Sequence, residues 1–420
     1  MTPRERPSRS DGSGVRQDGA ARGGRLRSGA PGPGRPGETD AGETDTGPAP
    51  SGAAAQLRVG VVGCGNISGQ YLDACRRFAV LSVEAVADLD GALASKRAAE
   101  YGVPRTLEPA ALLTDPAIDL VVNLTAPSAH AEITRAALDA GKAVYSEKPL
   151  ATTRADGHAL LEAARRSGAR LGCAPDTFLG GALQTARKLV DDGWIGRPLA
   201  ASAAMLNHGM EHWHPNPDAF FQPGAGPLFD VGVYYLTALV SLLGPVAKVA
   251  GAAATGFPHR RIGAGPRTGE RVTVRTPTHV TTLLEFADGV LATLVASFEV
   301  WASELPRLEI YGSEGTLQLP DPNFFGGQLR LRRAGAEQWS DVPLSHGYSE
   351  TARGLGAADL AQAQHVGRPH RASGQLAYHV LDVMQASLES AQGGQRIAVE
   401  SRVERPAPFP LGLADGDLDS

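Results

Sequence analysis

A lysine that follows a glutamate and precedes a proline is the first candidate for chemistry in this sequence. Lys148 stands between Glu147 and Pro149, directly after the small and apolar run "AVYS". Because proline cannot donate a hydrogen bond to a sheet and constrains the residue before it, Pro149 predicts a strand end that fixes the backbone at Lys148. We expect partial desolvation and a nearby oxidised nicotinamide to favour the neutral amine, which could act as a general base or donor, with Glu147 holding its position.

A carboxylate and a phenol form the second candidate pair. Asp230 and Tyr234 are four residues apart in the apolar run "GPLFDVGVYYLTALVSLLG", so a helix would place them on one face. A phenol near a cationic lysine has a lowered pKa and can exchange a proton with a hydroxyl or a carbonyl. The alternative is that Tyr234 and Tyr235 are core aromatic residues. Asp230 inside the apolar run argues against that alternative.

Three histidines precede this run in the segment "NHGMEHWHPNPDAFF". His-x-His spacing without a clear third and fourth ligand is a weak zinc signal, so we predict no metal site and keep zinc as the lesser alternative. One aromatic platform with several neutral donors suits a polyol ring, and a surface loop packed on a partner subunit is the other alternative. The predicted substrate contacts of this loop are His212, Trp213 and His214.

A further carboxylate follows the sixth predicted strand, in "CAPDTFLGG". This position would place Asp176 and Thr177 at the same crevice as Lys148. A carboxylate there favours substrates rich in hydroxyl groups over acidic ones, so both residues are predicted to contact the substrate.

A glycine-rich turn supplies the cofactor hypothesis. Gly63, Gly65 and Ser68 occupy the three positions of a G-x-G-x-x-G/A turn, after a predicted strand and at the start of a predicted helix. Gly63 permits the tight turn, Gly65 lets the backbone approach a pyrophosphate, and the helix N-terminus presents unpaired N–H groups to it. Such turns also occur in flavin, methyl-donor and structural βαβ units, but strand, turn and helix together favour a dinucleotide.

An acidic residue selects the form of the dinucleotide. Asp88 ends the second predicted strand, where a carboxylate accepts hydrogen bonds from the adenosine ribose and repels a 2′-phosphate. We therefore predict NAD, with NADP as the lesser choice. The predicted cofactor contacts are Gly63, Gly65, Asn66, Ile67, Ser68, Asp88, Thr125, Pro127, His130, Glu147 and Lys148.

The elements that position these residues follow a simple order. Short apolar strands alternate with single helices up to about residue 176, which predicts an α/β domain with a doubly wound parallel sheet. Alternating segments broken by Asp-Gly and Ala-Gly turns then predict an α+β domain with a large, mostly antiparallel sheet. The predicted division is a disordered tail over 1–55, a dinucleotide-binding domain over 56–176, a substrate and oligomerisation domain over 177–392 and a C-terminal extension over 393–420.

Composition excludes several classes of function. The chain has 420 residues, 42% of them hydrophobic, and a net charge of -5, so no broad basic surface is expected to attract nucleic acid or anionic lipid. Its three cysteines are too few for a disulfide framework, and a reducing cytoplasm is the expected compartment. No run of eighteen apolar residues predicts a membrane span. Residues 1–55 could also stem from a mis-assigned start codon.

Five segments together resemble a known family. "GVVGCGNIS", "VADLD", "NLTAPSAH", "YSEKPL" and "GPLFDVGVYYL" are similar, in this order and spacing, to the Gfo/Idh/MocA family of sugar and cyclitol oxidoreductases, over about residues 56–392. The resemblance implies that Lys148 is the catalytic lysine and that the Lys148–Pro149 bond is cis, as the corresponding bond is in some relatives. Where the family usually has a histidine four residues after the aspartate, this chain has Tyr234, as glucose-fructose oxidoreductase-like members do.

These inferences predict an oxidoreductase that moves a hydride between NAD and a secondary alcohol or ketone of a sugar, cyclitol or sugar derivative. Asp230 would orient Lys148 and Tyr234, which exchange the proton. One alternative is glycoside cleavage by oxidation, elimination and re-reduction with tightly held NAD. Another is a non-catalytic NAD-binding regulator. The open antiparallel sheet favours a homo-oligomer, a dimer or tetramer.

Overall fold

The computed structural model describes residues 56–419. The expected disorder of residues 1–55 therefore lies outside the described residues. Within them, no helix is long and apolar enough to cross a membrane.

The first part of the chain alternates strands and helices, as its sequence predicts. Its elements are β1 (Leu57–Val62), α1 (Ser68–Arg77), β2 (Leu81–Ala87), α2 (Gly91–Tyr101), β3 (Arg105–Leu107), α3 (Pro109–Thr114), β4 (Leu120–Asn123), α4 (His130–Asp139), β5 (Ala143–Ser146), α5 (Arg154–Ser167) and β6 (Leu171–Cys173).

These strands form one parallel sheet in the order β3-β2-β1-β4-β5-β6, which confirms the doubly wound prediction. Every residue of β4 and of β5 is buried, because helices cover both faces of the sheet. The strand order reverses between β1 and β4, and ligands of such sheets bind outside the carboxyl ends of the strands at that reversal. The segments that follow β1, β4 and β5 therefore border one crevice.

The second part of the chain is dominated by strands. Its elements are α6 (Gly181–Asp191), β7 (Pro198–Leu206), α7 (Val233–Leu243), β8 (Val246–Ala254), β9 (His259–Arg261), β10 (Arg271–Thr273), β11 (His279–Phe286), β12 (Leu291–Ser297), β13 (Leu308–Gly312), β14 (Gly315–Leu319), β15 (Leu329–Arg333), β16 (Ser340–Val342), α8 (Leu355–Val366), α9 (Gly374–Gly393) and β17 (Ile397–Ala398).

Nine of these strands form a sheet in the order β16-β15-β14-β13-β7-β12-β11-β8-β17. Only β7 and β12 pair in parallel, so the mostly antiparallel prediction is confirmed. The side chains of β11 alternate between buried and accessible, which is the period-two pattern of a sheet with one covered face. All of α7 is buried, as its uninterrupted apolar sequence predicts.

The last helices join the two sheets. Helix α9 packs against β8 of the large sheet and against α5 of the parallel one. The backbone N–H of Cys173 in β6 donates at 3.0 Å to the carbonyl oxygen of Ala372, which lies just before α9. The chain then returns beside α8, where Arg371 forms ion pairs with Asp359 and with Asp419 near the C-terminus.

Candidate active site

The glycine turn after β1 has the geometry of a pyrophosphate cradle. Gly63 has a φ of +99°, and a Cβ there would lie 2.7 Å from the backbone of Leu124, so only glycine fits. A Cβ on Gly65 would meet no atom within 4 Å, so packing within the protein does not require glycine at that position. Ser68 is fully buried, and its hydroxyl donates to the carbonyl oxygen of Gly65 at 2.7 Å. These features fit a dinucleotide above the N-terminus of α1, beside exposed Asn66 and half-buried Ile67.

Asp88 lies where the sequence places it, at the end of β2. One of its carboxylate oxygens accepts from the backbone N–H of Cys64 at 2.7 Å, and the other accepts from that of Asp90 at 2.9 Å. Each oxygen keeps a further lone pair for a ribose hydroxyl. The carboxylate therefore joins the glycine turn to the end of β2 and can still bind a ligand.

Hydrogen bonds hold the segment after β4 in place. Thr125 donates from its hydroxyl to Asn123 Oδ1 at 2.7 Å, and Pro127 is exposed at the start of a short 3₁₀ turn. His130 is buried, with Nδ1 2.7 Å from the carbonyl oxygen of Pro149 and Nε2 2.9 Å from that of Thr125. The predicted contact of the His130 ring with the cofactor is corrected, because the ring links two loops of the crevice and faces backbone on both sides.

Glu147 holds the backbone of the catalytic candidate, as the sequence suggests. Its Oε2 accepts from the N–H of Lys148 at 2.9 Å, and its Oε1 accepts from the hydroxyl of Tyr71 at 2.7 Å. The peptide bond between Lys148 and Pro149 is cis. Tyr71 lies on α1 among residues at apolar helical spacing, so the sequence marks it only as a core residue.

The structure brings Lys148, Asp230 and Tyr234 together. The Nζ of Lys148 donates to the carbonyl oxygen of Asp230 at 2.6 Å and to its carboxylate at 3.0 Å. The same Nζ lies 5.3 Å from the ring centroid of Tyr234. Asp230 belongs to a π-helical turn, Leu228–Gly232, that precedes α7. Such turns are frequent at functional sites.

Both catalytic candidates are protonated at neutral pH in this arrangement. Burial lowers the pKa of the Lys148 ammonium, but Asp230, Tyr234 and Glu147 raise it by more, so the pKa lies above its ordinary value. Burial alone therefore does not give the expected neutral amine, and the effect of an oxidised nicotinamide on this pKa stays a prediction. Burial also raises the pKa of the Tyr234 phenol, and the neighbouring cations offset this effect only in part. The expected lowering of that pKa is wrong because desolvation outweighs the effect of the lysine charge.

Arg353 is a member of this cluster that sequence reasoning missed. Its Nη1 donates to the hydroxyl of Tyr234 at 3.0 Å, and its Nη2 donates to Asn323 Oδ1 at 2.9 Å. In the sequence it is a lone arginine before a glycine-rich helix start, in "TARGLG". No spacing rule connects it to Tyr234, so only the fold reveals the contact.

Asp176 has a different position from the one predicted. It is 0% exposed, and its Oδ2 accepts from the backbone N–H groups of Gly354 at 2.8 Å and Gly356 at 3.0 Å. Thr177 is buried as well. The predicted substrate contacts of these two side chains are corrected, because Asp176 anchors the start of α8 and neither side chain is open to the crevice.

The histidine loop lies on the second part of the chain. Trp213 is 55% exposed, and the His214 ring meets it edge to face with centroids 5.4 Å apart. His212 is exposed, whereas His208 stacks on Trp301. Within residues 56–419, no three histidine, cysteine or acidic side chains are grouped as metal ligands. Contact of His212, Trp213 and His214 with a substrate stays a prediction.

The arrangement can exchange a proton and orient an oxygen atom. An ammonium offers three N–H donors, and two of those on Lys148 are used by Asp230. The third remains for a ligand oxygen, next to a phenol that can give or take a proton. These groups border the crevice that the glycine turn fits to a dinucleotide, so proton exchange and hydride transfer could occur at one place.

Comparisons with known proteins identify the family of this chain. Residues 57–174 match the family described as "Oxidoreductase family, NAD-binding Rossmann fold", and residues 183–318 match the "GFO/IDH/MocA C-terminal domain". A dTDP-3,4-didehydro-2,6-dideoxy-alpha-D-glucose 3-reductase of Streptomyces antibioticus is 32% identical over 66% of this chain and 76% of its own length. A 1,5-anhydro-D-fructose reductase of Ensifer adhaerens is 28% identical over 62% of this chain and 74% of its own length.

A solved structure shares the fold. Levoglucosan dehydrogenase in complex with NADH and L-sorbose superposes with a TM-score of 0.71 at 24% identity, over 82% of this chain and 99% of that one. The matches to both halves, together with the 32% identical relative, establish the family. The chain belongs to the Gfo/Idh/MocA family and is an NAD-binding oxidoreductase that acts on CH–OH groups.

Proposed function

We propose that this enzyme transfers a hydride between NAD and a secondary alcohol or ketone of a sugar, cyclitol or sugar derivative. The observation that carries the proposal is the contact of Lys148 with both Asp230 and Tyr234 at the carboxyl end of β5. When bound, the nicotinamide supplies or accepts the hydride. The turn around Gly65 and the carboxylate of Asp88 would hold this cofactor.

The side chains have separate tasks in this proposal. Asp230 orients Lys148, whose remaining N–H donates to the reacting oxygen of the substrate. Tyr234 gives its proton to that oxygen during ketone reduction and takes it back during alcohol oxidation. Because both pKa values are raised, the protonated forms needed for reduction prevail at neutral pH. Oxidation needs a group that has lost its proton and can accept one from the alcohol. The rate of oxidation should therefore rise as the pH approaches the raised pKa values and level off above them.

A substrate panel tests this function. Purified enzyme would be assayed at neutral pH with NADH and ketosugars, including 1,5-anhydro-D-fructose, and at alkaline pH with NAD and alcohols, including levoglucosan and myo-inositol. Turnover would be followed by the absorbance of NADH. We expect at least one polyol or ketosugar to give sustained turnover, and failure of the whole panel in both directions would contradict the proposal.

The two alternatives, glycoside cleavage and a non-catalytic regulator, predict different results in the same assay. Glycoside cleavage would release a free sugar without net change in NADH, which product analysis by chromatography detects. A regulator would bind NADH without any product. The family matches already exclude the regulator, since they make this chain an oxidoreductase.

Replacing Asp88 by serine together with Leu89 by arginine should shift binding from NAD toward NADP. The serine removes the carboxylate that repels a 2′-phosphate, and Leu89 is 95% exposed, so an arginine there can reach a phosphate freely. Titration of both cofactors by NAD(P)H fluorescence measures the two dissociation constants. Leu89→Arg alone is the control and should keep the preference for NAD. A tenfold preference of the wild type for NADP would refute the assignment of Asp88.

We also propose a homo-oligomer, in keeping with the open face of the nine-stranded sheet. Leu283 on β11 and Leu291 on β12 are each 57% exposed on neighbouring strands. Burial of this face by a second copy would remove apolar surface from water. A monomeric mass in light scattering would contradict this interface.

The cytoplasmic location stays a prediction.

A further inference from the structure

Arg353 is a half-buried cation beside the catalytic candidates. It lies one residue before the glycine that precedes α8, and its guanidinium reaches Tyr234 and Asn323. Among residues 56–419, no carboxylate forms an ion pair with it. Its positive charge is therefore not neutralised by direct contact, unlike that of Lys148, which is bound to Asp230.

The guanidinium is held in place from two sides. Nη2 donates to both the carbonyl oxygen and the Oδ1 of Asn323, at 3.3 and 2.9 Å. The backbone that follows Arg353 is fixed by Asp176, whose buried carboxylate accepts from the N–H groups of Gly354 and Gly356. A cation fixed in this way loses little further freedom when it binds the phenol, so its contact with Tyr234 is preorganised.

The direction of this hydrogen bond decides what Tyr234 can do. Arginine has only donors, so the phenol oxygen must accept from Arg353 and its own O–H points elsewhere. Within the described part of the chain, no acceptor takes that O–H. The proton is therefore free for a ligand oxygen.

We propose that Arg353 is a positioning residue that keeps Tyr234 a proton donor and stabilises the phenolate left behind. The inference rests on the proposed function for its role in turnover, but the effect on Tyr234 belongs to the protein itself. In the step, the O–H bond of Tyr234 breaks and a new O–H bond forms on the substrate oxygen. The electron pair stays on the phenolate oxygen, where Arg353 donates to it, and water later returns the proton.

Other charges around Tyr234 do not replace Arg353. Lys148 faces the ring from the segment after β5, but it is ion-paired with Asp230. The negative charges of Glu147 and Asp230 both oppose ionisation of the phenol. Removal of Arg353 would thus leave two carboxylates and one paired lysine around the ring. The phenol should become a weaker acid and its proton harder to transfer.

The test measures ionisation of Tyr234 directly, without substrate. The full chain would be labelled with ¹³Cζ-tyrosine, and the signal of Tyr234 among the eight tyrosines would be assigned by its absence in Tyr234→Phe. In Arg353→Met the midpoint of the Tyr234 titration should move upward by about one pH unit or more, or the signal should stay that of the neutral phenol throughout. Arg353→Lys keeps the positive charge but makes a weaker hydrogen bond to the Tyr234 hydroxyl, so the titration midpoint should shift upward by less.

Activity provides the second readout. With a substrate found in the panel, Arg353→Met should lower kcat at neutral pH by about tenfold to a hundredfold, with little change in NADH affinity. An unchanged Tyr234 midpoint in folded Arg353→Met would overturn the inference whatever the panel shows. If Arg353→Met does not fold, an unchanged midpoint in Arg353→Lys would overturn it equally. A shifted midpoint without any turnover in the wild type would uphold the contact and refute the proposed function instead.

Discussion

Lys148→Met should lower kcat by about a hundredfold to ten-thousandfold, the range expected when a general acid or base is removed. Methionine keeps much of the side-chain length but has no N–H, so the substrate oxygen loses a donor and Asp230 loses its cationic partner. NADH affinity should change little, because the pyrophosphate would be held by backbone near Gly65. Steady-state kinetics and a fluorescence titration of NADH measure the two effects separately.

The control for this variant is another lysine. Lys188→Met removes an amine from the outside of α6, where the side chain pairs with Asp192 and is 40% exposed, and kcat should stay near that of the wild type. Tyr234→Phe should cost much less in the Lys148→Met background than alone, since groups that act together are not additive. Near-normal turnover of Lys148→Met on an identified substrate would make this lysine a charge at a strand end without a catalytic role.

Arg371→Met should lower the free energy of unfolding by about 3–5 kcal/mol, as expected when one partner of a buried ion pair is removed. The guanidinium donates to the fully buried carboxylate of Asp359 at 2.6 Å and to Asp419 at 2.6 Å. Without it, Arg368 would be the one cationic partner left to Asp359 among residues 56–419. Urea unfolding followed by circular dichroism measures the change.

An exposed arginine that follows β17 provides the comparison. Arg402 lies on the surface, and its replacement by methionine should change the free energy of unfolding by less than about 0.5 kcal/mol. A loss below about 1 kcal/mol for Arg371→Met would mean that the ion cluster at the C-terminus contributes little to the fold.

Local patterns predicted most of the architecture. The apolar runs and glycine turns determine which segments become strands, and the alternation with helices is sufficient to predict the parallel sheet. Lys148 could be found because Pro149 marks the strand end. Asp230 and Tyr234 could be found because their spacing follows a helical period. In each case the signal is contained within a few consecutive residues.

The remaining features depend on contacts between distant segments. Arg353 meets Tyr234 across 119 positions of sequence. Asp176 was expected at the crevice because it follows a strand, but the N-terminus of α8 supplies two N–H groups that bind its carboxylate in the interior. The pKa directions of Lys148 and Tyr234 depend on burial and on several neighbours together, which a linear pattern cannot weigh.

The contacts between the parallel sheet and the final helices restrict how related genes can exchange parts. Arg154 on α5 pairs with Asp382 and Glu389 on α9, and β6 hydrogen-bonds to the backbone at Ala372. A chimaera joined only near residue 176 would combine an NAD-binding half from one parent with these partners from another. Recombination that preserves folding should therefore need two crossovers, so that α8, α9 and the C-terminal segment are inherited together with the cofactor-binding half.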